Sequence, residues 1–156
     1  MLFLDFWARL LPEASFLFVF RHPANVVDSL RRRGDKRLVK VLVGKSAWPG
    51  KGRLGFFRYQ HAINSWVLYN QRILDFVEKH PDRSCLIEID SLLNGSDKII
   101  ERVQEHLGIP LRAIDVSGVY DPTLMTKKPH PRVVRALRKH PDVTELYECL
   151  KSVAAK

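Results

Sequence analysis

The chain has 156 residues, of which 46% are hydrophobic and 28% charged. That length suits one domain and is enough to hide roughly 68–70% of the unfolded surface on folding, which excludes a disordered tail. No run approaches the ~20 uncharged apolar residues of a membrane helix, and two cysteines, Cys85 and Cys149, are too few for a disulfide scaffold or a four-cysteine zinc site. We expect buried thiols there, with a single bridge left open. The net charge of +9 is uneven: residues 1–60 carry 12 basic and 4 acidic side chains, residues 61–120 carry 6 and 9, and residues 121–156 carry 8 and 4. The basic ends imply an anionic partner, or simply keep the protein soluble.

The first twelve residues, up to Pro12, are apolar but interrupted by Asp5 and Arg9. They lack the basic start of a secretory signal and read as a short amphipathic helix ended by the proline. Phe16-Leu-Phe-Val-Phe20 is a continuous apolar run, as expected of a parallel strand covered on both faces. It ends in Arg21-His22-Pro23. Proline suits the first turn of a helix, and Ala24 to Arg33 then sets Val26, Val27 and Leu30 on one side, with Gly34 as the stop. Residues 34–58 include Lys45-Ser-Ala-Trp-Pro-Gly-Lys-Gly-Arg-Leu-Gly55 and read as a mobile basic loop.

From Phe57 to His80, Ile63, Trp66, Val67, Asn70, Ile73, Leu74 and Val77 recur at helical spacing until Pro81. Ser84 to Ile89 reads as a second strand. Ser96 caps a helix over Asp97 to Leu107, stopped by Gly108-Ile-Pro110, and two short helices come next, near 131–139 and 142–153. There is no internal repeat. The order predicts one α/β domain over 1–156, a parallel sheet flanked by helices.

Val39-Lys-Val-Leu-Val-Gly44-Lys45-Ser46 ends like a phosphate loop, but valine replaces the first glycine. Such a loop turns successive backbone N–H groups around a phosphate, which β-branched residues running straight into Gly44 do not allow. An ordinary glycine after a short helix or strand is the reading we adopt.

The segment that carries chemistry is strand, Arg-x-Pro, helix, serine. Arg21 stands at the carboxyl end of the first strand, where open α/β sheets bind ligands. Ser29 lies eight residues on, and the helix rises only ~7.5 Å over the five residues from Ala24. A guanidinium fork and a hydroxyl both suit a phosphate monoester.

Leu11-Pro-Glu-Ala-Ser-Phe-Leu-Phe-Val-Phe-Arg-His-Pro-Ala-Asn-Val-Val-Asp-Ser29 resembles the 3′-phosphate-binding segment of the sulfotransferases that use 3′-phosphoadenosine 5′-phosphosulfate (PAPS). Trp66 to Asn70, His80 to Leu92 and Leu107-Gly-Ile-Pro110 are similar to the next helix, strand and helix end of that family. The resemblance covers about residues 9–125. The family usually has Asp or Asn where this chain has His22. The resemblance implies a sulfotransferase fold of the P-loop-containing nucleoside triphosphate hydrolase type, incomplete at the amino terminus, with the chain as the carboxyl-terminal portion of the domain. The strand, Gly-containing loop and helix that bind the 5′-phosphosulfate, and the usual base, would lie upstream. It further implies PAPS as the sulfuryl donor, an acceptor hydroxyl or amine, no metal, and Arg21 and Ser29 on the 3′-phosphate. No catalytic residue is assigned.

Other residues carry paired readings. His22 contacts the phosphate or the acceptor, or it is a capping or surface histidine. Asn70 is a satisfied buried amide, and Trp66 is core. Asp90 caps a helix or orients a loop near the site. Lys127 and Lys128 add basic contacts to the nucleotide or form a solvated turn. Arg31-Arg-Arg33 marks an exposed helix end favoured by the dipole, or meets an acidic acceptor. The six histidines contain no H-x₃-H pair, so no metal site is expected.

Two alternatives to the enzyme remain: an inactive sulfotransferase-like partner or fragment, and a basic nucleic-acid-binding module. Phe56, Phe57 and Tyr59 form no stacking series, which disfavours nucleic acid. A homo-oligomer is compatible with the sequence. The lack of a disulfide framework favours a reducing compartment, so a cytoplasmic location is expected.

Overall fold

A computed structural model describes residues 3–42, 51–94, 96–111 and 128–155, with side chains placed for 3–33, 59–91, 98–111 and 128–155. The elements run α1 Leu4–Leu10, β1 Phe16–Phe20, α2 Pro23–Leu42, α3 Lys51–Lys79, a 3₁₀ turn Pro81–Arg83, β2 Ser84–Glu88, α4 Ile89–Asn94, α5 Ser96–Leu107, α6 Pro131–Leu137 and α7 Pro141–Ala154. The described residues are mostly helical around a small parallel sheet, an α/β layout. None of the described helices is long and apolar enough to cross a membrane.

β1 and β2 pair in parallel, with Phe16 opposite Ser84 and Phe20 opposite Glu88. Both strands therefore end at the same edge, which sets the site. The first strand runs over the residues expected from its apolar run. Its cover does not match that expectation. Phe16 and Phe18 pack edge-on against Phe76 of α3, with ring centroids 5.0 and 5.4 Å away, while Leu17 and Val19 on the opposite face are 49% and 48% exposed. The register explains the difference. Leu17 and Val19 lie beside Cys85 and Ile87, which are packed by Val103, Ile99 and Leu107 of α5. That helix covers β2 on this face, and among the described residues nothing extends the cover to β1.

Gly34 does not end α2, which continues to Leu42. An interior glycine costs only about 1 kcal/mol against alanine, and Lys36, Arg37, Leu38 and Lys40 are good helix formers that carry the helix on. The basic loop expected over 34–58 is accordingly helical over 34–42 and 51–58, and the rest of it, 43–50, lies outside the described residues. Val39 to Leu42 belong to α2 and are helix, not the strand of a phosphate loop; Val43 and Gly44 lie outside the described residues. Arg31 to Arg33 consequently sit in mid-helix and not at a helix end. Arg31 and Arg32 pair with buried Asp28 at 3.4 and 3.5 Å.

The core forms where α2, α3, α6 and α7 meet behind the sheet: Val27, Ile63, Val133, Val143 and Leu150 are all at most 2% exposed. α1 is pinned by Arg83, which donates to the carbonyls of Ala8 (3.1 Å) and Pro12 and lies over the Phe16 ring. Gly108 takes a left-handed φ of +63° just past α5, a conformation that glycine adopts without strain, and it ends that helix as expected. Both cysteines are free; Cys85 is buried, but Cys149 is exposed, against the expectation for it.

Candidate functional site

The parallel strands end side by side, and the residues just beyond them converge. β1 leads to Arg21 and His22, and β2 leads to Glu88 and, in the first turn of α4, Asp90. The guanidinium of Arg21 is largely buried. Its Nε lies 3.8 Å from Asp90 Oδ1 and has no hydrogen-bond acceptor among the described residues. A buried charged donor left without an acceptor is costly, so this atom calls for an anionic oxygen. The backbone carbonyl of Arg21 accepts from Trp66 Nε1 at 3.2 Å, fixing the strand end against α3.

His22 caps α2. Its Nδ1 accepts from the Ala24 N–H at 3.2 Å, so the neutral ring carries its proton on Nε2. Burial pushes its pKa below the ordinary value. The carboxylates of Glu88, Asp90 and Glu148 oppose that shift, and Lys151 adds to it. The ring packs edge-on to Tyr147 of α7 with centroids 4.8 Å apart. The Tyr147 hydroxyl donates to Glu88 Oε1, while Ser91 Oγ donates to Oε2 at 3.2 Å. Burial, then the bond to Glu88, pushes the Tyr147 pKa above the ordinary value, so the phenol stays protonated. Lys151 rests over its ring at 5.0 Å.

The remaining candidates lie close by or on the adjoining helices. Ser29 is half-buried on α2, one turn beyond Asn25 on the same stripe. The Asn25 Oδ1 is also buried without a donor among the described residues; turned over, that amide would offer its NH₂ to an anion. Trp66 is core, 3% exposed, and Asn70 is buried with its Nδ2 donating to the Trp66 carbonyl at 2.7 Å, both as expected. Asp90 does not cap a helix from outside but faces Arg21. Lys128 is exposed, and Lys127 lies outside the described residues.

Beside Arg21 opens a cavity of about 680 Å³ between α2, α3 and the end of β1. Arg21 lines it, as do Val26, Leu30 and Trp66; Ser29 does not. Arg21, at the end of β1, and Ser29, in the second turn of α2, thus do not share that wall. At the strand termini the unpartnered Nε of Arg21 and the positive end of α2 favour an anion, with the carboxylates of Glu88 and Asp90 beside them; Asn25 and Ser29 lie in the first and second turns of that helix. Tyr147, Glu88 and Asn25 had no place among the residues expected from sequence. Asn25 is the one with a readable signal, since it falls midway between Arg21 and Ser29 at helical spacing.

Comparison of the sequence with protein-family models and with curated proteins found no match.

Proposed function

We propose that the chain is the nucleotide-gripping, carboxyl-terminal part of a PAPS-dependent sulfotransferase. Arg21 and Ser29 bind the 3′-phosphate of the donor. The reading is supported by one observation above the others: a buried guanidinium at a strand terminus whose Nε lacks an acceptor among the described residues. The sequence resemblance assigns the same residue to a phosphate. Asn25, between Arg21 and Ser29, offers a third polar contact on that side of α2.

The donor supplies the sulfuryl group, which passes in line to an acceptor hydroxyl or amine while adenosine 3′,5′-bisphosphate leaves. This chain's contribution is to hold and orient the nucleotide. Orientation and cations on the bridging oxygen both contribute to catalysis in such transfers. Asp90 stays close enough to keep Arg21 aimed without neutralising it by a short contact, and His22 fixes the helix start that carries Asn25 and Ser29.

Titration of adenosine 3′,5′-bisphosphate tests the assignment. A charge-assisted bond is worth about 1.5–3 kcal/mol, so Arg21→Ala should weaken binding roughly ten- to hundredfold. Ser29→Ala removes a neutral donor and should cost about threefold to tenfold. Equal affinities for the wild type and a folded Arg21→Ala variant would refute the assignment.

A further inference from the structure

The cavity beside Arg21 has a composition that the nucleotide reading does not use. It runs along α3 from His61 to Ile73, twelve residues or about 18 Å of helix. Its volume of about 680 Å³ lies within the range of small-molecule sites, 300–1,000 Å³. Val26 and Leu30 of α2 face Trp66, Tyr69 and Ile73 of α3 across it, so most of the wall is aliphatic or aromatic. Ser65, Tyr69 and Asn70 add a few polar groups, too few to partner every hydroxyl and amide of a sugar or a polar peptide, and each group left unpaired would cost about 1–3 kcal/mol.

The polar part of the wall is one-sided in charge. Arg21, Arg31 and His61 line it, and no aspartate or glutamate does among the described residues. Arg31 is engaged by buried Asp28 and Arg21 has Asp90 3.8 Å from its Nε, but neither carboxylate lines the cavity. Leu30 and Tyr69 at the rim are 38% and 43% exposed, so the cleft is open to a ligand from solvent.

We infer that this cavity binds a single-chain or ring-bearing amphiphile with one anionic head group, such as a medium-chain carboxylate. The apolar body lies along the Trp66–Ile73 side of α3, and the head meets the guanidinium and imidazole groups. The apolar body is argued from the cavity alone, whereas the head shares Arg21 with the nucleotide assignment, so adenosine 3′,5′-bisphosphate and the amphiphile should compete at that guanidinium.

The test is calorimetric titration of the chain with dodecanoate, dodecanol and dodecyltrimethylammonium, each below its self-association concentration. The expected result is saturable one-to-one binding in which dodecanoate is preferred at least tenfold over the neutral and cationic chains. Ser65→Trp, which fills the middle of the cavity, should abolish it. Tyr69→Asp, at the exposed rim, should weaken dodecanoate at least tenfold while weakening the cationic chain less. Adenosine 3′,5′-bisphosphate titrated against Ser65→Trp separates the two readings, since its affinity should not change. Equal affinity for all three chains, or binding that neither variant alters, overturns the inference. So does binding to vesicles of an anionic phospholipid with none to dissolved dodecanoate, or a concentration-dependent dimer that closes the cavity.

Discussion

Burial pushes the pKa of His22 below its ordinary value, and its Nδ1 takes the Ala24 N–H at the start of α2. This fixes the sign of the pH effect. With the folded pKa below the ordinary 6.5, the unfolded chain takes up a proton that the folded chain refuses. The stability that His22 contributes is therefore complete above about pH 6.5 and is lost as the pH falls below it. Denaturant titrations at neutral and mildly acidic pH should show this fall. In His22→Asn, which keeps a side-chain acceptor for the Ala24 N–H, the fall should be smaller. An unchanged slope with pH in that variant would assign the acid sensitivity elsewhere. Tyr147 makes the complementary point. Its hydroxyl is bound to Glu88, and its ring covers His22, so one side chain from α7 orders residues at the ends of both strands.

At the scale of elements, the strands and the long helix were legible because their signals are local. Phe16 to Phe20 is an unbroken apolar run, and the Ile63–Trp66–Asn70–Ile73–Val77 spacing of α3 is that of one helix face. The continuation of α2 past Gly34 was not legible, because a lone glycine in a run of good helix formers is punctuation only when the next residues also stop the helix. The short α4 escaped for a related reason: Asp90 reads equally as a cap outside a helix or as an acid in its first turn. Tyr147 gave no signal at all, since its partners Glu88 and His22 are 59 and 125 positions away and no periodicity spans that distance. The packing of α7 also has an energetic consequence. Leu150 is fully buried, so Leu150→Ala should cost 2–5 kcal/mol, whereas Leu68→Ala, 52% exposed on α3, should stay within about 0.5 kcal/mol. Urea unfolding of both variants measures the difference, and similar losses would contradict the packing described.

For the molecule as a whole, one parallel register decides where chemistry can sit. Because β1 and β2 start and end together, Arg21 and His22 come to lie with Glu88 and Asp90 at a single edge, and α2 begins there. The excess of basic residues in 1–60 was readable from composition, but its use was not: Arg31 and Arg32 balance a buried aspartate, while Arg21 alone of the three faces Asp90 at the strand ends. The central claim is that Arg21 recognises a nucleotide's 3′-phosphate. The most direct measurement compares adenosine 3′,5′-bisphosphate with adenosine 5′-monophosphate on the wild type and on Arg21→Ala. The account predicts that the wild type prefers the bisphosphate at least tenfold and that the preference collapses in the variant. A preference that survives Arg21→Ala undiminished, in protein whose fold is intact, would contradict it.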